Sequence, residues 1–107
     1  TEVVPSRGEA LYEYMKTCRE NKMFHHSCSI GVSAVNLPKP RDSLFGMDWV
    51  YTYGIKDEFA VAAFHAGKFK LSYKLNQEIL KITSLPAAYR TRVTDNMGFA
   101  ETKYKKQ

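Results

Sequence analysis

The chain has 107 residues, 44% of them hydrophobic and 25% charged, which suits one globular core and not a disordered segment. No apolar run approaches the ~20 residues that a membrane helix needs, so a membrane partner is excluded and a soluble single domain over 1–107 is expected. The net charge of +5 is uneven: residues 1–53 hold six Lys or Arg against six Asp or Glu, and residues 54–107 hold ten against five.

The start, Thr1 in place of Met, points to a processed or cut terminus and leaves the compartment unread. Ser6-Arg7-Gly8-Glu9 is a capping box, in which the Ser6 hydroxyl accepts from the Glu9 amide and the Glu9 carboxylate accepts from the Ser6 amide. Leu11, Met15 and Cys18 follow at helical spacing, Arg19 and Lys22 load the far end with positive charge, and Asn21 is a stop. The pattern predicts a helix over about 7–20.

After it the period drops to two. Phe24, His26, Cys28, Ile30, Val32 and Ala34 alternate with small or polar residues, which predicts a long strand with one buried face. Two prolines make 37–46 a loop. Residues 48–75 then read as three antiparallel strands, the last turn being Ala66-Gly67 in "HAGK". The stripe Trp49, Tyr51, Tyr53 and Ile55 falls on the core face if the preceding turn, "GIKDE", has an even loop, and on the lysine face if it is odd. The even loop sets large rings over small alanines and is favoured.

Asn76 reads as the cap of a short second helix through Ile79 and Ile82, closed by Pro86. The tail reads as a β-hairpin around "DNMG", residues 95–98. There are no evident internal repeats. The fold expected is therefore α+β, with an N-terminal helix and a short second helix on one face of an antiparallel sheet that ends in a C-terminal hairpin.

Little catalytic chemistry survives inspection. Cys18, His25, His26 and Cys28 lie close in sequence, but the spacing does not match paired zinc ligands, and neighbouring histidines on a strand point to opposite faces. No metal or cofactor is expected. Two buried free thiols are favoured over a disulfide, which would need an oxidising compartment. Asp57 and Glu58 read as turn charges. No hydrolase or phosphate-loop motif is present.

The basic surface carries the leading functional expectation. Lys68, Lys70 and Lys74 alternate along one predicted strand, and Arg90, Arg92, Lys103 and Lys105 line one face of the predicted tail hairpin. Such cations meet phosphates, and an adjacent aromatic, Phe59, would stack on bases. The chain is thus expected to be a non-catalytic module for single-stranded RNA or DNA. The alternative is a protein-interaction or structural domain, as a homodimer in one version, and the third reading is a small enzyme using Cys28 and His26.

Overall fold

The computed structural model describes residues 6–40 and 47–106, and all the regular structure among them is helical. The elements are α1 (Arg7–Glu20), α2 (Phe24–Ala34), α3 (Ile55–His65), α4 (Phe69–Leu80) and α5 (Ala87–Lys105), with a π-helical turn, Val50–Gly54, running without a break into α3. The expected α+β sheet is absent from the described residues. The strand over 24–34, the meander over 48–75 and the tail hairpin are all helices. Of the predicted loop, residues 41–46 lie outside the described residues.

The first helix matches its sequence signals. The Ser6–Glu9 capping box is formed, and Asn21 is the C-cap, its Nδ2 donating to the Thr17 carbonyl at 2.8 Å. Met15 and Cys18 are buried as the spacing required.

The predicted strand is α2 because its buried side is made of small residues. Ser27, Cys28, Gly31 and Ala34 are buried, at helical spacing, while Val32 is 56% exposed. Serine and glycine do not register as apolar, so the two-residue alternation of the larger side chains dominates the sequence pattern. Gly31 is needed there: a Cβ on it would lie 2.6 Å from the Phe59 ring. Phe59, expected on a binding face, is buried at that α2–α3 contact.

"HAGK" is a turn, but one between helices. Gly67 has φ +83° and the Lys68 amide donates to the Ala63 carbonyl at 2.8 Å, a Schellman ending of α3. The first hairpin ends in the same way: Lys22 has φ +59° and the Met23 amide donates to the Cys18 carbonyl at 2.8 Å. The equivalence extends inward at a constant offset of 45 positions. Ser27 Oγ donates to the Met15 carbonyl at 3.4 Å, and Ser72 Oγ to the Ala60 carbonyl at 2.8 Å. The chain therefore contains two structurally equivalent helical hairpins, a repeat that the sequence does not display.

In the second hairpin, Asn76 is an interior residue of α4, fully buried with neither side-chain polar atom bonded, and is not a cap. Pro86 is the N-cap of α5 and starts a helix where it was expected to end one. The "DNMG" turn lies inside α5. Within that helix Thr91, Thr94 and Thr102 each donate to the carbonyl four residues back, which satisfies their hydroxyls locally.

Consecutive helices pack on one another, α1 on α2, α2 on α3, α3 on α4 and α4 on α5, and the stack measures 53 × 29 × 21 Å. This is the nearest-neighbour layering of helical solenoids. The core runs through it from Met15 and Cys28 by way of Val50, Phe59 and Ala63 to Ile79 and Val93. No described helix is long and apolar enough to cross a membrane.

Candidate functional site: a groove along α1, α3 and α5

Asp57 and Glu58 begin the site. They follow one another near the start of α3, well inside the continuous helical run that begins at Asp48, and neighbours on a helix point about 100° apart. Each therefore reaches a different partner helix. Glu58 accepts from Nε of Arg19 in α1 at 3.2 and 2.9 Å. Asp57 accepts a two-pronged pair from Arg92 in α5, Nη1 to Oδ1 at 3.0 Å and Nη2 to Oδ2 at 2.6 Å. The acid side chains are 6% and 10% exposed and the arginines 38% and 45%. The carboxylates form the floor, and the cations face the solvent above them.

Around these pairs lies a cleft of about 490 Å³, lined also by Tyr12, Lys16, Tyr89 and Asn96. Hydrogen bonding to Glu58 and Asp57 holds both guanidiniums above their ordinary pKa. Burial, with the nearby Tyr89, pushes the Tyr12 phenol up to about 12, and burial raises Tyr89 too, so both hydroxyls stay protonated and can donate. The Arg92 guanidinium lies 5.0 Å from the Tyr89 ring. Behind the cleft, the rings of Tyr12, Trp49, Tyr53 and Tyr89 follow one another at 5.1, 6.0 and 5.1 Å between centroids.

Val61 and Asn96 also line a second, mostly apolar hollow of about 240 Å³ with Ala60, Phe64, His65, Ser72 and Phe99. The two spaces adjoin at Val61 and Asn96 and are described together as one groove. Along α3 it runs from Asp57 through Val61 to Phe64, and along α5 from Tyr89 and Arg92 through Asn96 to Phe99, so α3 and α5 point the same way. At 1.5 Å per residue the lined part of α5 is about 15 Å long. One end is ionic and the other apolar, with Phe99 61% exposed on its rim.

The residues singled out from sequence divide into three groups. Lys68, Lys70 and Lys74 come together at the start of α4, around a shallow hollow of about 410 Å³ that includes Phe69 and Leu71. Lys103 and Lys105 are in the last turn of α5; Lys105 pairs with Glu101 at 2.8 Å, and Lys70 stands over the Tyr104 ring at 5.9 Å. By helical spacing Arg92 lies on the same side of α5 as Lys103, about 16 Å earlier along the axis, and Arg90 does not. Arg90 donates to the carbonyls of Leu80 and Ile82, both at 2.9 Å, and so closes the end of α4, while Arg92 belongs to the groove.

Cys28 and His26 do not meet, because positions two apart on a helix face apart. Cys28 is buried, as expected, and His26 bonds Tyr14 at 3.0 Å on the surface. Both cysteines are buried free thiols, and burial raises the pKa of Cys18.

Sequence reasoning missed Tyr12, Lys16, Arg19, Asp57, Glu58, Asn96 and Phe99. One signal was present: two adjacent acids in a run from Gly54 to Ala63 that holds one cation, Lys56, and is otherwise apolar need further cationic partners. No family model matches the chain, and no curated protein or solved structure matches it either.

Proposed function

We propose that the chain is a protein-interaction module that takes a segment of a partner protein into the groove between α3 and α5. The observation that carries this reading is the groove itself, an open apolar hollow that adjoins an ion-paired cleft and is rimmed by an exposed phenylalanine. Large exposed apolar side chains beside polar groups are what protein anchors need. The open hollow of about 240 Å³ is too small and too uncovered to enclose a long lipid chain. The test is selection of binders from a random peptide library, followed by Phe99→Asp, a surface change that leaves the core intact. Peptides that lose binding to Phe99→Asp support the reading; a selection whose peptides all bind the variant as well as the wild type refutes it.

A polyanion reading remains for another surface. The three lysines at the start of α4 have no acidic residue in the first turn to offset them, and that surface would meet phosphates without reading sequence. Binding of a labelled single-stranded oligonucleotide that is lost in a Lys68→Glu, Lys70→Glu, Lys74→Glu triple variant would favour it.

A further inference from the structure

We infer that the groove recognises a segment with a carboxylate at one end and an apolar side chain about 10 Å away, a deepening that rests on the protein-interaction reading. The ionic end has donors to spare. Arg19 uses only Nε on Glu58, and its two terminal amino groups have no hydrogen-bond partner among the described residues. Lys16, one turn earlier on α1, lines the same cleft and has no ion-pair partner among them. The Tyr12 hydroxyl is a further donor there. Both carboxylates of the cleft are already ion-paired to arginine, and with Lys16 the lining carries three cations against two anions, so an incoming group meets net positive charge. An acid suits that end, and a lysine or arginine would be repelled.

The opposite end is lined mostly by apolar atoms, among them those of Phe64 and Phe99, with no lysine or arginine in its lining. An apolar side chain fits it. The separation follows from the helices. Arg92, which lines the ionic cleft together with Lys16 and Arg19, stands seven residues, about 10 Å of rise, from Phe99 along α5. An extended peptide spans that distance in about three residues, and a helical one in about two turns. The groove thus sets both the chemistry and the spacing of its partner.

The experiment extends the library selection. Peptides retained by the wild type and lost with Phe99→Asp are sequenced, and one is synthesised with each Asp or Glu replaced by Asn or Gln. Binding is read by fluorescence anisotropy at two salt concentrations. Lys16→Glu, at a partly exposed residue with no partner to lose, is the companion variant. Expected are acid enrichment three or so positions from an apolar residue, and about a tenfold loss of affinity on either neutralising the peptide or reversing Lys16. Groove-dependent peptides without acid enrichment, or affinity unchanged by Lys16→Glu, overturn the carboxylate inference and leave the groove reading standing. A selection with no groove-dependent peptide overturns both.

Discussion

In the first hairpin the residue that ends the leading helix with positive φ is Lys22; in the second it is Gly67. The turn hydrogen bonds and the buried serine bond are the same in both, at an offset of 45 positions. The groove-facing positions are not. Tyr12, Lys16 and Arg19 in α1 correspond to Asp57, Val61 and Phe64 in α3. Backbone demands keep the turn alike in the two hairpins, while the face that meets solvent differs from cationic to apolar. The interior differs as well, with Gly31 in α2 standing where α4 has Asn76.

The interior difference gives the largest expected effect. Gly31→Asn, which installs the α4 residue in α2, should lower stability by about 3 kcal/mol, because its Cβ would overlap the Phe59 ring and overpacked cores do not relax fully. The reverse comparison uses Asn76→Leu. Removing two unbonded buried polar atoms should raise stability by about 1–2 kcal/mol. Urea midpoints at constant m measure both. A destabilised Asn76→Leu would mean that the amide has partners in solution.

The two ion pairs distinguish the junctions on either side of α3. Arg92→Ala should cost about 2–3 kcal/mol, less than for a fully buried pair because the guanidinium is 45% exposed. Arg19→Ala should cost a similar amount. The readouts should differ: α5 amides should exchange faster in the Arg92 variant, and α1 amides in the Arg19 variant. Equal exchange changes in both would show that the stack opens as one unit.

Tyr12, the counterpart of Asp57, sharpens the comparison through pH. Its folded pKa of about 12 lies above the ordinary 10.0. Between those values the folded state holds the phenol proton and the unfolded state does not. Its contribution is therefore fully present below pH 10 and is lost as pH rises towards 12, at up to about 1.4 kcal/mol per pH unit. Tyr12→Phe should flatten that limb of a stability–pH curve, and an unchanged slope would remove Tyr12 as its source.

The smallest effect is at the turns. Lys22→Gly should stabilise by about 1 kcal/mol and Gly67→Ala should destabilise by about the same, since only glycine adopts positive φ without strain. Thermal midpoints moving in opposite directions would bear out the equivalence of the two turns.

Local signals were legible in the sequence and periodicity was not. The Ser6–Glu9 box, the Asn21 stop and the turn at Gly67 were found because each needs only a few neighbouring residues. A glycine with positive φ serves a β-hairpin and a helix ending equally, so it located the turn without deciding what flanks it. The alternation in 24–34 and 49–55 outvoted a helical stripe of serine, glycine and alanine, and the threonines with Gly98 disguised α5. Of the groove, Arg92 alone was singled out, and as part of a hairpin where the chain forms a helix. Its acids are adjacent in sequence, but their partners lie 39 and 35 positions away, and that separation leaves no local trace.

The π-helical turn before α3 bears on how the groove can change. The Ile55 amide donates to Val50, five residues back, and Trp49 folds onto Gly54, whose missing Cβ would lie 2.9 Å from the indole. One residue more than an α-turn shifts the angular phase of the helix by about 100°. With that offset, Trp49 and Tyr53 pack behind the cleft while Asp57, Val61 and Phe64 line the groove. Deleting Thr52, an exposed residue within this turn, would restore an ordinary helix and turn one set of side chains away from its place. A single-codon deletion at an exposed position would thus disturb the groove more than most substitutions within it, and length over 50–54 is the property a redesign of this chain has to conserve.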